Sequence, residues 1–412
     1  MPNHEQVSLV RCASTAADAE VCERTLAAIQ ALPDYGAGLR GATRIAVKIN
    51  AGVHRLVLTD GKQTELTEPA VVEGTIRAIR DVTDAEIIVG DATTDGDSGA
   101  LYAALGYPER LKQFANVRLV DFNQSELTEV AMRHTGAMFR CYMLPRELAE
   151  ADAFVSVAKM KAHVSLGCTL CIKNLFGWIP TSVYGAPRMY LHDRLIRLPR
   201  VLVDLAAWAR PCLNVVDGIV AANKSEWNGQ AMHPGVIIAG TNCVATDSVG
   251  ARVMGFDANG DYPDHPFFYR RNAIKLAAER GLGPNSANEI EVVGPAPEEV
   301  AQPFKVERYD GDTDRAGQIR LGAACVERYR DRQAALARDH AGRYLALSDG
   351  EVLWEAESMA RMQELEKANG QGWAGAPQFV VRCLPPDLEI EQMEWYGVEA
   401  SAAAASAITK EA

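Results

Sequence analysis

The sequence predicts an α/β protein, a mainly parallel sheet with helices on both faces, plus a small C-terminal α+β domain. Three observations lead there. Runs such as 85–90, 153–158 and 236–239 are mostly apolar rather than strictly alternating, as strands buried on both faces require. Helix-compatible segments separate them, giving the rhythm of a parallel sheet. Beyond Gln318 the composition changes to a basic helical run and then a short hairpin pattern.

In chain order, residues 16–31 read as a helix ended by Pro33. The run 44–50 is β-rich and terminates in Lys48, Asn50 and Gly52, after which 53–64 reads as a polar loop. Thr67 as N-cap, Pro69 in the first turn and Val72, Ile76 and Ile79 on one face predict the next helix. Strand 85–90 follows, then a helix around 99–105 and strand 117–122. Strand 153–158 leads into a segment rich in lysine and cysteine. Then come a helix at 195–209, strands at 212–216 and 236–239, helices at 245–254 and 273–280, and a last strand at 289–293. These elements divide the chain into a helical lead-in (1–43), the α/β domain (44–294), a linker with the start of a basic helix (295–325), a ββαβ-type module (326–390) and a tail (391–412). The module is a hairpin around Asp349-Gly350, a helix at 355–368 and a strand at 379–383 stopped by Pro385-Pro386. Residues 401–412 read as a frayed, alanine-rich end.

A net charge of -12 and a pI near 5.3 argue against nucleic acid and anionic membrane surfaces as partners. The first ten residues lack the basic start and apolar run of an export signal, and no apolar stretch approaches the ~20 residues of a membrane helix. The expectation is a cytoplasmic protein with a small anionic molecule as partner and with room for homo-oligomerisation. Nine scattered cysteines, an odd number, do not form a disulfide framework.

The chemistry concentrates in Lys159 to Gly177, K-M-K-A-H-V-S-L-G-C-T-L-C-I-K-N-L-F-G. Lys159, Lys161, His163 and Lys173 stand among neighbours too apolar for a solvated face, so they read as the wall of a polar pocket. Lysines there can hold an anion or, with the pKa lowered by burial, act as nucleophile or base, and His163 can move protons. Ligands in parallel sheets collect beyond the carboxyl ends of strands, which makes Lys48, Asn50, Asp91 and Asp121 candidates for one crevice. Helix capping is the competing reading for the two aspartates. Asp217, Asp247 and His192 extend the set toward a mixed nitrogen and oxygen metal site. Cys168 and Cys171 form a C-x-x-C, readable as redox or metal chemistry or, more readily, as core packing on one face of a helix. A ferredoxin run, Walker loop, G-x-G-x-x-G, G-x-S-x-G and H-E-x-x-H are all missing.

Val47-Lys-Ile-Asn50, Thr67-Glu-Pro69, Gly90-Asp91, the K-x-K-x-H of Lys159, Lys161 and His163, Ile172-Lys-Asn-Leu-Phe-Gly177, His192, Val216-Asp-Gly218 and Ala239-Gly-Thr-Asn with Ala245-Thr-Asp247 together resemble the bacterial and archaeal family of domain of unknown function 362. The ferredoxin-type cysteine motifs carried by many of its members are missing here. In order, His163, Lys173 and His192 are also similar to the nickel-pincer lactate racemase family. That resemblance implies an acid/base histidine, a lysine anchoring a nickel-pincer-type cofactor and a metal-ligating histidine.

The resulting expectation is an isomerase, racemase-like or oxidoreductase enzyme acting on a small organic anion with a divalent transition metal or metal-organic cofactor. His163, Lys173 and Lys161 would be catalytic. Lys48, Asn50, Lys159, Asn174, Asp91 and Asp217 would bind substrate, with His192 and Asp247 as metal ligands. The alternatives are a thiol redox or metal-handling protein using Cys168 and Cys171, and a non-enzymatic anion-binding or assembly protein.

Overall fold

The computed structural model describes residues 4–95, 97–132, 137–188, 190–192, 197–306, 332–348, 351–369 and 379–383. Cys325, most of the basic run at 323–338, the Asp349-Gly350 turn, Pro385-Pro386 and the alanine-rich end lie outside the described residues. The chain forms two compact units. The first comprises residues 1–128, 144–180 and 205–308, and the second 129–143, 181–204 and 309–412.

The first unit is built on strands β1 (Glu5–Arg11), β2 (Arg44–Ile49), β3 (Glu86–Asp91), β4 (Val117–Asp121), β5 (Ala153–His163), β6 (Gly167–Thr169), β7 (Leu213–Asn223), β8 (Gln230–Met232), β9 (Val236–Gly240) and β10 (Ile290–Val293). They form one ten-stranded sheet ordered β10-β1-β9-β7-β5-β2-β3-β4, with β6 beside β5 and β8 beside β7. The run from β7 to β4 is parallel, whereas β9 is antiparallel to both β1 and β7. The expected mainly parallel sheet is therefore present, with a mixed edge.

Helices α1 (Asp18–Gln30) and α2 (Pro69–Arg80) bury Val21, Ile29, Val72, Ile76 and Ile79 against Ile45, Val47, Val155 and Val157. Alternation along β5 turns Ser156 to the other face, where its hydroxyl donates to the Cys171 carbonyl of the short helix α3 (Cys171–Asn174). Helix α4 (Cys243–Val253) lies beside α3. Its entry is set by Asn242, whose side chain accepts from the Val244 and Ala245 N–H groups.

Three local readings change. β1, absent from the sequence reading, sits inside the sheet between β9 and β10, because its short, polar-led run becomes a strand only through those partners. Thr67 is not the cap of α2, whose N-cap is Glu68 without a side-chain cap bond. The Thr67 hydroxyl instead accepts from Asn50 N–H at 2.9 Å and donates to the Val157 carbonyl at 3.0 Å, tying β2 to β5. The loop at 53–64 contains a minimal hairpin of Leu58–Thr59 and Lys62–Gln63.

In the second unit the expected hairpin is formed by β11 (Tyr344–Ser348) and β12 (Glu351–Ala356), and β13 (Phe379–Arg382) pairs antiparallel with β11. Helix α5 (Met359–Ala368) buries Met359 and Met362. Elsewhere in this unit, buried Asp204 accepts from Met138 and Phe139 N–H and from the Tyr142 hydroxyl at 2.7–3.0 Å.

Candidate functional site

Strand β5 continues past the point expected for it, so Lys159, Lys161 and His163 are strand residues rather than loop residues, all on one face and all buried. Each finds a different environment.

Lys159 Nζ lies 2.9 Å from Asp217 on neighbouring β7, and neither side chain has measurable exposure. Asp217 also accepts from the backbone N–H groups of Glu68 and Ile219, so its charge is neutralised and both oxygens are hydrogen-bonded. Lys48 makes the corresponding pair with Asp91 at 2.9 Å. Asp91 further accepts from Ala51 and Ala92 N–H, and thus joins β2 to β3 rather than capping a helix. The cap of the following helix is Asp97, which accepts from Gly99 N–H. Asp121 accepts from Asn123 N–H in a turn. Lys48, Lys159, Asp91 and Asp217, read from sequence as substrate-binding, are therefore engaged with one another in two internal ion pairs.

The I-K-N-L-F-G run closes around this framework. The Asn174 amide donates to the Lys48 carbonyl and Ser156 hydroxyl at 3.1 Å, and its oxygen faces the Asn50 amide at 3.3 Å. Gly177 is required sterically, since a Cβ there would stand 2.0 Å from Asp91 Oδ1 and 2.5 Å from Lys48 Nζ.

Lys161 differs. It is buried, yet its ammonium donates to neutral oxygens, Asn50 Oδ1 at 3.1 Å and the Glu65 carbonyl at 2.9 Å, and sits 3.8 Å from the Trp227 ring centroid. Burial lowers its pKa to about 7, against the attraction of Glu226 and with the help of Lys173. Across the β5–β6 pairing, Thr169 is opposite Lys161 and so projects to the same face. Its hydroxyl is buried without a hydrogen-bond partner.

His163 is held as one tautomer. Ser165 N–H donates to its Nδ1 at 3.2 Å, which leaves the proton on Nε2, 3.4 Å from Glu226 Oε1. Burial lowers the His163 pKa to about 4, opposed by Glu226 and reinforced by Lys173, Arg270 and Lys161, so the ring is neutral at neutral pH. Burial works to raise Glu226, but His163, the Glu226 and Val164 N–H groups and Lys173 outweigh it and hold the carboxyl below its ordinary range. Glu226 and Trp227 follow Lys224, a non-glycine residue at φ 70° whose left-handed backbone turns the chain after β7. Lys173, half-buried, has its Nζ 4.6 Å from the Phe176 ring centroid.

Glu226, Trp227, Thr169 and Arg270 escaped the sequence reading. The one available signal was an acidic and an aromatic residue side by side just beyond a strand end, in Ser225-Glu-Trp-Asn.

The metal and thiol readings fare differently from the lysines. Both oxygens of Asp247 accept backbone N–H groups, from Cys171 at 2.7 Å and Ile172 at 2.8 Å, so Asp247 anchors the start of α3 instead of facing a metal. Burial raises its pKa to about 7, against those same hydrogen bonds. His192 belongs to the second unit, where its Nδ1 is 3.2 Å from the Arg188 carbonyl. Among the described residues no group of three His, Cys, Asp or Glu side chains is arranged to hold a metal ion. Lys173 and His192, which would anchor and ligate a nickel-pincer-type cofactor, belong to the first and the second unit respectively, and the chemistry proposed here is placed on the chain's own side chains. Cys168 and Cys171 are free, buried thiols on β6 and at the start of α3, not on one helix face, and burial pushes both up, away from the thiolate form.

Fold and site together define an α/β protein whose sheet carries a buried polar cluster of one neutral-acceptor lysine and a histidine–glutamate pair beside two internal ion pairs. The chain belongs to the family described as domain of unknown function (DUF362), which residues 45–252 match. A curated relative, a thylakoid-associated protein of Synechocystis sp., is 25% identical over 257 residues, covering 61% of this chain and 75% of that protein. Among solved structures, the lactate racemase apoprotein of Thermoanaerobacterium thermosaccharolyticum aligns at 12% identity with a TM-score of 0.36, covering 56% of this chain. The chain spans 54% of that racemase's length. A Thermotoga maritima protein aligns at 13% identity and a TM-score of 0.25, over 40% of this chain and 39% of its own. No helix among the described residues is long and apolar enough to cross a membrane.

Proposed function

We propose that the chain is an enzyme that binds a small organic carboxylate at the Lys161–His163–Glu226 crevice and moves a proton on it, an isomerase-type reaction. The observation that carries this reading is Lys161, a buried lysine that donates only to neutral oxygens and is electrostatically coupled to His163 and Glu226. Lys161, Lys173 and Arg270 act electrostatically on His163 against Glu226, while Glu226, Glu65 and Asp91 act on Lys161. Lys48 and Lys159 have carboxylates of their own, so they do not compete for the ligand. A buried lysine with no carboxylate hydrogen-bonded to it attracts an anion, and the low local dielectric strengthens the contact. Lys161 titrates near neutrality and the ionised Glu226 carboxylate, held by His163 Nε2–H, can accept a proton, so a donor and an acceptor for proton transfer are both supplied.

The test is a panel of 2-hydroxy and 2-oxo carboxylates, read by thermal shift and by NMR deuterium uptake at the ligand's carbon-bound hydrogens in D2O. At least one carboxylate should raise Tm and exchange. His163→Asn and Glu226→Gln should keep the Tm shift and lose the exchange, whereas Lys173→Met should weaken binding. A protein whose Tm no carboxylate raises sinks the proposal.

A further inference from the structure

We propose that Lys161 is an imine-forming lysine that attacks the carbonyl carbon of a small 2-oxo acid bound in this crevice. The inference rests on the anion-binding reading and goes beyond it by naming a covalent step and a substrate class.

Three buried lysines occupy this end of the sheet, and two are locked. Lys48 and Lys159 each face a carboxylate at 2.9 Å, which fixes them as cations. The Lys161 hydrogen bonds go instead to an amide oxygen and a peptide carbonyl, which orient the nitrogen without demanding its charge. The Trp227 ring covers it at 3.8 Å and restricts water around the nitrogen. A lysine so placed is partly a free amine near neutral pH and can act as a nucleophile. The buried Thr169 hydroxyl, opposite Lys161 and lacking a partner, is a donor for the oxygen that develops charge when a carbonyl is attacked. Lys173 and Arg270 act electrostatically on the neighbouring His163, and the carboxylate of the same molecule is placed toward them.

The step balances without any redox partner. The Lys161 ammonium gives a proton to the Glu226 carboxylate, and its freed lone pair bonds to the carbonyl carbon as the C–O π bond breaks onto oxygen. The oxygen then takes a proton from the attacking nitrogen, giving a carbinolamine. The stored proton returns to that hydroxyl, which leaves as water while the nitrogen lone pair forms the C=N bond. The product is a protonated imine carrying the charge the ammonium began with. It acidifies the hydrogens on the adjacent carbon, which links the covalent step to proton transfer.

The experiment is cyanoborohydride trapping of the full chain with pyruvate, followed by peptide mapping, with lactate as a competitor that has no carbonyl. One reduced adduct is expected on Lys161, equal in mass to pyruvate less water plus two hydrogens, and diminished by lactate. Lys161→Arg, which keeps the cation, should lose it entirely, while Lys173→Met should still form it at higher pyruvate. Mapping on the unaltered protein does not depend on whether a variant folds. Adduct on Lys173 or spread over surface lysines overturns the inference. So does the lack of adduct in a protein that pyruvate or lactate still stabilises, an outcome that leaves the anion site standing. If neither acid raises Tm and nothing is trapped, both readings fall.

Discussion

Lys159 and Lys161 stand two residues apart on one strand, point to the same face and are equally buried, yet they have opposite characters. Lys159 meets a carboxylate that two backbone N–H groups already orient, so it is a structural cation within the sheet. Lys161 meets only neutral acceptors among its hydrogen-bond partners and stays titratable. The lesson is that burial alone does not make a lysine reactive. What decides is whether the charge it would lose is needed by a partner.

The strongest way to break this contrast is to remove the partner that locks Lys159. Asp217→Asn leaves a buried cation uncompensated and should cost about 3–5 kcal/mol in chemical denaturation. Lys161→Met, which removes a cation with no carboxylate bonded to it, should be far milder. If the two cost the same, the distinction fails.

Next is the steric lock on the other pair. Gly177→Ala forces a Cβ against Asp91 and Lys48 and should destabilise by ~1–3 kcal/mol, with retained but less cooperative unfolding.

A pH series sharpens the comparison at Lys161. Its folded pKa of about 7 lies below its ordinary value of 10.5, so between these two the unfolded chain binds more protons and stability rises with pH. Lys161→Met loses that slope. Its stability relative to the unaltered protein should therefore fall by on the order of 2–3 kcal/mol between pH 6 and pH 9. A difference that does not change with pH would show that Lys161 is not held near neutrality. His163 acts at lower pH, where its depressed pKa removes stability as pH falls from 6.5 toward about 4. His163→Asn should flatten that arm.

The smallest effect is expected at Thr169. Replacing an unpartnered buried hydroxyl by a methyl in Thr169→Val should raise stability by up to ~1 kcal/mol while weakening capture of a 2-oxo acid. A loss of stability there would mean that the hydroxyl already has a partner.

Much of this was legible in the residues. Apolar runs, glycine stops and Pro69 in the first turn of a helix locate most elements because they act over a few residues. The K-x-K-x-H and I-K-N-L-F-G motifs located the cluster of buried cations, since cations embedded in apolar sequence must be compensated somewhere. β1 was not legible, because a short polar-led strand is stabilised by partners near the far end of the domain. Nor was the role of Asp247, which carries a carboxylate to two N–H groups on a distant helix.

What the sequence determined by itself was therefore the fold class, the family and the stretch on which the chemistry is placed, all encoded in local pattern. Only the tertiary structure decided which carboxylate meets which lysine. Asp91 and Asp217 reach Lys48 and Lys159 across neighbouring strands, whereas Glu226 arrives on a turn beside His163 and leaves Lys161 among neutral oxygens. Charge pairing depends on a few ångströms of separation in space, and sequence distance does not carry that information.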